Sequence, residues 1–402
     1  MRRERIKLAI FGAPAAFKRP LYTGAPIVER QSEQRYFAWM KQAFRRNCFT
    51  NNGPLLQRLE KEVAGIHSVK HCVAVCNATI AQMLLLKSLG LRGEVILPSF
   101  TFIATAHACL WQGLKPVFCD IEPDTLTIDA EKAQRLINKK TSAIIGVHLF
   151  GNVCNIGELE RLAKNYKLKL IFDAAHAFKC SLGDKSIGGF GNAEMVSFHA
   201  TKLFSTFEGG AVLTNDRELA CRVSVLRNFG FTGYDKVEFL GINAKMPEAS
   251  AAMGLASLPA IGRRISHLKK NYFIYRKSLV SIPGISLVSL GLKGRSNYQF
   301  MPILVEEDKF GVSRDILYDI LWKENVIARR YFYPGCHRMH PYKSLYPDAG
   351  RGLSVTEDIC GKILCLPMNL KSPQRDIAAI RGIIVEVREN AGRILEWKRN
   401  RG

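Results

Sequence analysis

The sequence predicts an α/β protein in two parts. Residues 1–250 read as a large domain, a mainly parallel mixed sheet sandwiched by helices, and residues 251–402 as a smaller C-terminal α+β domain. Three observations predict it. Between about residue 55 and residue 227, short apolar runs alternate with single helical segments, the pattern of a parallel sheet with crossover helices. The runs are apolar throughout instead of alternating with polar residues, as strands covered on both faces are. Beyond residue 280 the elements become fewer and more scattered.

The elements follow in order. Residues 1–35 carry Gly12, Pro14, Pro20 and Pro26 and read as irregular. Residues 55–64 have the apolar spacing of a helix. Residues 71–75 form a strand, 76–79 a turn of small residues, and 80–89 the next helix. A strand at 94–97 leads into Pro98-Ser99-Phe100-Thr101-Phe102. After a helix come a strand at 116–119, a helix at 130–137, a strand at 142–147 and a helix at 156–166. Strands at 168–172 and 195–198 and a helix at 217–227 complete the large part. Residues 241–255, GINAKMPEASAAMGL, open a long helical stretch that runs to about residue 277 and marks the boundary. The second part holds strands at 285–290 and 298–305 and helices at 313–323 and 373–387. The basic tail, 397–402, reads as frayed.

Composition narrows the function classes. With 402 residues, 47% of them hydrophobic, the chain can bury a sizeable core. The net charge of +23 would suit nucleic acid or a membrane surface. The Lys and Arg are spread along the chain, however, and no helix-turn-helix, zinc-finger or RNA-binding signature is present, so no nucleic-acid partner is expected. A phosphate-rich anionic substrate agrees with the sign of the charge. The eleven cysteines contain no CxxC pair, and some, such as Cys72 and Cys119, lie in apolar runs. They read as reduced, buried thiols of a cytoplasmic protein. Cys72 and Cys76 have no second ligand pair, so no metal site is expected. The basic start, MRRERIKLAIFGAP, is too short in its apolar run for a secretory signal, and no stretch can span a bilayer.

The chain is organised around residues 170–216. Asp173 follows a buried strand and therefore sits at its C-terminal edge, where ligands bind in open α/β sheets. A second strand leads into His199-Ala200-Thr201-Lys202. Lysine forms Schiff bases with carbonyls. An aspartate for the ring nitrogen and a Schiff-base lysine are what a protein contributes to pyridoxal phosphate (PLP) chemistry. Taken alone, Lys202 is one surface lysine among many, and Asp173 a strand-end helix cap.

Together these pieces resemble a family. Asp173-Ala174-Ala175-His176, Ser197-Phe198-His199-Ala200-Thr201-Lys202 and Glu208-Gly209-Gly210 are similar to motifs of the DegT/StrS type of sugar-nucleotide aminotransferases. These are PLP enzymes of fold type I, and the resemblance runs from about Asn51 to about Pro367. It implies that Lys202 holds the cofactor and moves the proton, and that Asp173 keeps the ring nitrogen protonated. Some similar proteins carry histidine at the Lys202 place and dehydrate their substrate, so lysine implies transamination. Ala78 and Thr79, at a helix start suited to anions, are implied to hold the cofactor phosphate with Ser197. Phe102 is implied to stack on the ring, where core packing is the plain alternative. His176, in a place often taken by glutamine, is implied to pack near the phenolic oxygen. Asn243 is implied to reach the phosphate of a neighbouring subunit; the plain alternative is a helix cap before Ala244.

The run Arg329-Arg330-Tyr331-Phe332-Tyr333-Pro334-Gly335-Cys336-His337-Arg338 mixes aromatic and basic residues. It resembles a stretch of those members that aminate C4 of dTDP-4-keto-6-deoxyglucose, with Arg329, Tyr331 and His337 as candidate substrate contacts. A structural crossover is the alternative. The resemblance thus implies transfer from L-glutamate to a nucleotide-linked 4-keto-6-deoxy sugar, in a homodimer with shared active sites, serving either O-antigen (lipopolysaccharide) or glycosylated-metabolite assembly. A 3-keto or GDP-linked sugar is a second reading, and a non-catalytic PLP-binding regulator a third.

Overall fold

The computed structural model describes residues 8–290, 294–368, 370 and 373–400. Residues 1–7 of the basic start and 401–402 of the tail lie outside the described residues. In chain order come β1 (Leu21–Tyr22), α1 (Arg30–Arg46), α2 (Pro54–His67), β2 (His71–Val75), α3 (Ala78–Ser88), β3 (Glu94–Pro98) and α4 (Ile103–Trp111). Next are β4 (Lys115–Cys119), α5 (Ala130–Leu136), β5 (Thr141–Val147), α6 (Ile156–Asn165) and β6 (Lys169–Asp173). A small hairpin, β7 (Ser181–Leu182) and β8 (Lys185–Ser186), precedes β9 (Ala193–Ser197), β10 (Gly210–Thr214) and α7 (Arg217–Leu226). A second hairpin, β11 (Phe231–Gly233) and β12 (Lys236–Val237), leads to α8 (Glu248–Ser257) and α9 (Ile261–Leu279). The rest is β13 (Ile285–Leu287), β14 (Met301–Val305), α10 (Glu307–Phe310), α11 (Arg314–Lys323), β15 (Val326–Ile327), α12 (Tyr342–Leu345), α13 (Ser354–Lys362), β16 (Ile363–Leu366), α14 (Pro373–Glu389) and α15 (Ala391–Arg399).

The large sheet has the order β2-β10-β9-β6-β5-β3-β4. β10 runs antiparallel to both its neighbours, and the pairings among β9, β6, β5, β3 and β4 are parallel. The sheet is mixed and mainly parallel, as the apolar runs predict. Successive residues point to opposite faces. Val73, Val75 and Ile171 join a core with Leu84 and Leu85 of α3 and Val223 of α7. Ala74, Leu170 and Phe172 join another with Leu59 of α2 and Leu159 of α6. Both faces are therefore covered, which is why no polar alternation survives in the strands. Local signals start the helices: Asn77, Asp129 and Asp216 accept the N-terminal N–H groups of α3, α5 and α7.

The second part is built on a three-stranded antiparallel sheet, β13-β14-β16, with α9 and α11 against it and α14 packed on those two helices. The segment from Ala9 to Tyr22 is built into this part. β1 pairs in parallel with β15, and buried Glu324 accepts the N–H groups of Ala9 and Ala16 at 2.7 and 2.8 Å.

Three sequence expectations need correction. Residues 30–46 form the helix α1, whose only buried side chains are Ser32 and Ala43; its exposed aromatics blur the apolar stripe. The long helical stretch begins at Glu248, because Pro247 occupies the cap, and it is broken at residues 258–260, which include Pro259. Asn243 is thus no helix cap; it bridges to Asn228. Finally, residues 397–399 are helical, with Trp397 meeting Phe11 edge-on at 6.4 Å. Among the described residues no helix is long and apolar enough to cross a membrane.

Candidate active site

A cavity of about 380 Å³ opens where the parallel strands end. β6 delivers Asp173 to it, β9 delivers Ser197, β5 brings Val147 and the next residue His148, and the loop after β3 brings Thr101 and Phe102. This is the carboxyl edge of the sheet, where the crossovers leave a crevice. Lys202 enters from a tight turn after β9, closed by its N–H to the His199 carbonyl at 2.9 Å. Gln299, arriving from just before β14, pins this turn from both sides: it donates to the Thr201 carbonyl at 3.0 Å and accepts from Leu203 N–H at 3.2 Å.

Electrostatics set the character of the cavity. Burial pulls Lys202 down to about 8, and the charge of Asp173 opposes that pull. Burial pushes Asp173 up; hydrogen bonds from Ala175 N–H and Thr105 and the charge of Lys202 act against it. Burial first, and the Lys202 charge second, hold His176 well below its ordinary value, so its imidazole is neutral. The Phe150 N–H donates to His176 Nδ1 at 3.4 Å, which places the ring hydrogen on Nε2. The ring lies nearly parallel to those of Phe150 and Phe332.

At the opposite end, α3 begins against the cavity. The Asn77 side chain takes the Ile80 N–H at 2.9 Å, leaving the N–H groups of Ala78 and Thr79, the first helical residues, without an intrahelical acceptor. β10 passes close beneath: a Cβ on Gly210 would lie 2.6 Å from both Cα and N of Ala78. Only glycine lets the strand approach the turn this closely.

Of the residues singled out in the sequence, Lys202, Asp173, Ala78, Thr79, Phe102, His176, Ser197, Arg329 and Tyr331 line this one cavity. Phe102 is 57% exposed, so its ring faces open space instead of core. The run from Arg329 divides. Arg329, Tyr331 and Phe332 face the cavity, whereas Arg330 turns to Asp315 at 2.6 Å. His337 is a correction: it does not line the cavity. It is buried, with Nδ1 at 2.7 Å from Ser99 Oγ and Nε2 at 2.7 Å from Glu357, so the crossover reading holds for this residue. Asn243 is exposed and also lies outside the cavity of its own chain.

Sequence reasoning missed Gln82, Thr101, His148 and Gln299, all on the cavity wall. His148 had a usable signal, since it follows a strand at the same edge as Asp173. Gln82 is 1% exposed, and its Oε1 has no partner among the described residues.

These features fit PLP: amide donors at a helix start for a phosphate, a buried carboxylate for a ring nitrogen, and an amine already partly neutral near pH 8. The comparisons agree. The profile of the DegT/DnrJ/EryC1/StrS aminotransferase family matches residues 30–384. The dTDP-4-amino-4,6-dideoxy-D-glucose transaminase of Shigella dysenteriae is 37% identical over 92% of this chain and 100% of its own. The crystal structure of DesI in the presence of its TDP-sugar product superposes with a TM-score of 0.90, at 41% identity, covering 98% of this chain and 99% of that one. NtdA of Bacillus subtilis, solved with bound cofactor PMP, gives 0.80 at 25% identity, covering 90% of this chain and 83% of that one. On its profile match, its relatives and its cavity, the chain belongs to the DegT/DnrJ/EryC1/StrS aminotransferase family and is a PLP-dependent aminotransferase of fold type I.

Proposed function

We propose that this protein transfers the amino group of L-glutamate to dTDP-4-keto-6-deoxyglucose, releasing 2-oxoglutarate and the 4-amino-4,6-dideoxy sugar nucleotide. The observation that carries the reading is the union, in one cavity, of Lys202, Asp173 and the start of α3 with the basic and aromatic wall of Arg329 and Tyr331. The relatives' substrates, as their names give them, support the choice of sugar.

When bound, PLP supplies an electron sink and carries the amino group between the two substrates. Lys202 would hold it covalently. Ala78 and Thr79 N–H and the Ser197 hydroxyl would hold its phosphate, and Phe102 and His176 would border its ring. Asp173 would keep a proton on the ring nitrogen. Lys202 Nζ, with a large neutral share near pH 8, would take the proton from Cα of glutamate in the first half-reaction and deliver one to C4 of the sugar in the second. Arg329 meets the pyrophosphate of the sugar nucleotide, and Tyr331, 5.2 Å from that guanidinium, offers a flat face. Two substrates taken in turn at one site give ping-pong kinetics.

The working unit in this reading is a homodimer with shared active sites. Asn243 is exposed, and apolar side chains nearby in sequence are open to solvent, among them Leu240 at 81% and Tyr234 at 103%. Such a surface is what a second copy would cover. Eleven unpaired cysteines support a cytoplasmic location, and the product would serve O-antigen assembly in lipopolysaccharide.

The test has two stages. Glutamate alone should change the visible absorption of the loaded protein; no change removes the enzyme reading in favour of a PLP-binding regulator. A panel of dTDP- and GDP-linked keto-sugars, read by mass spectrometry and NMR, should give amination at C4 of the dTDP sugar. Amination at C3, or of a GDP-linked sugar only, refutes the substrate.

A further inference from the structure

Asp173 arrives at the cavity with both carboxylate oxygens held from behind. Oδ1 accepts the Ala175 N–H at 3.0 Å, and Oδ2 accepts the hydroxyl of Thr105 at 2.8 Å. Thr105 is 1% exposed and is not part of the cavity wall, so its hydroxyl reaches the cavity through Asp173. A hydroxyl has one proton to give. Since that of Thr105 goes to the carboxylate, the Thr101 hydroxyl, 3.1 Å away, donates to Thr105. The two threonines form a buried relay ending on Asp173.

The backbone of Thr105 is fixed as firmly. Its N–H donates to Phe102 carbonyl at 3.1 Å. Its carbonyl accepts from Gln82 Nε2 at 3.2 Å and from Cys109 Sγ at 3.6 Å. Gln82 belongs to α3, whose first turn presents Ala78 and Thr79 to the cavity, so Thr105 links the phosphate end to the carboxylate end. It also lies in the first turn of α4, where the helix dipole favours a nearby anion.

We propose that Thr105 is a positioning residue for transamination: its hydroxyl, aligned by Thr101, holds the Asp173 carboxylate toward the cofactor nitrogen and keeps it an anion there. The inference rests on the assignment of Asp173 to that nitrogen. A neutral side chain of the same shape leaves Oδ2 buried without its donor, which favours the protonated carboxyl.

The experiment compares Thr105→Val, Thr105→Ser and Asp173→Asn, each reconstituted with PLP. Thr105→Val should weaken PLP binding roughly ten- to a hundredfold, the range of one hydrogen bond to a charged group. It should also displace the pH dependence of the cofactor's visible absorption, and Thr105→Ser should restore both. Wild-type affinity and an unmoved absorbance titration in Thr105→Val overturn the proposal, as does a loss of thermal stability alone. If Thr105→Val does not fold, Thr101→Val replaces it, with a smaller displacement expected in the same direction; none overturns the proposal. Asp173→Asn separates the two layers. A normal spectrum in that variant defeats the Asp173 assignment itself, whereas a defective Asp173→Asn beside a normal Thr105→Val defeats only the role of Thr105.

Discussion

Asp173 and Lys202 line one cavity, and each stabilises the charge of the other against the burial that would remove both. A pH prediction follows from the sign of the two shifts. Free amine is the form that captures a carbonyl, and Lys202 loses its proton at about 8 instead of near the ordinary lysine value. In cofactor-free protein, stopped-flow absorbance should show PLP capture speeding up with pH through about 8, then levelling off. Asp173→Asn removes the charge that favours the ammonium, so its midpoint should lie lower. A midpoint that rises in that variant contradicts the coupling.

Arg329 and His337 should separate cleanly in kinetics. Arg329→Gln should raise KM for the sugar nucleotide by about ten- to a hundredfold, the worth of a charge-assisted hydrogen bond of roughly 1.5–3 kcal/mol, with little change for glutamate. His337→Ala removes partners of Ser99 and Glu357 inside the protein, and should lower the melting temperature without favouring either substrate's KM. Equal KM effects of Arg329→Gln on both substrates would remove it from sugar recognition.

Mixing subunits tests the shared site. Lys202→Ala and Asn243→Asp should each be inactive or severely impaired, the second because a carboxylate would oppose the phosphate. If Asn243 serves the partner's cavity, a mixed dimer holds one site with both lesions and one with neither, and activity partly returns on exchange. No return after exchange confirmed by mass spectrometry means Asn243 serves its own chain or none.

Glu194 gives a stability prediction from just behind the cavity wall. It is buried, and its Oε1 accepts from Gly188 N–H at 2.7 Å and Phe190 N–H at 2.9 Å. Its Oε2 faces His148 Nε2 at 3.5 Å. Glu194→Ala leaves two buried backbone donors unpaired, at about 1–3 kcal/mol each. Denaturant unfolding should report a loss of that size, and a loss under about 0.5 kcal/mol, typical of a surface site, would refute it.

What the sequence disclosed tracks how local each signal is. Asp173, Ser197 and the Ala78-Thr79 turn stand at strand ends, and their neighbours in sequence already state the edge they occupy. Lys202 was legible from the ordered motif around it. Thr105 was not, because its meaning lies in a hydrogen bond to a residue 68 positions away. Gln299 likewise acts on a turn 96 and 98 positions earlier. His337 misled because a basic, aromatic run has no outward mark of which members turn inward; only the anchoring of Cys336 N–H on the Ser99 carbonyl at 2.9 Å decides it. Helix α1 escaped because its aromatics are exposed and its buried positions are small.

The pairing of β1 with β15 bears on biosynthesis. Thr23 and Gly24 line the cavity, and Thr23 is fixed by its hydroxyl to the carbonyls of Ile327 and Cys365, the nearer of them 304 residues later. A chain leaving the ribosome can assemble the large sheet as soon as β10 emerges, yet its opening segment has no seat until β15 and β16 follow. That wall is therefore set only after strands made about 300 residues later have emerged. Until residues 326–366 have been made, the lysine and the aspartate stand in an unfinished chamber.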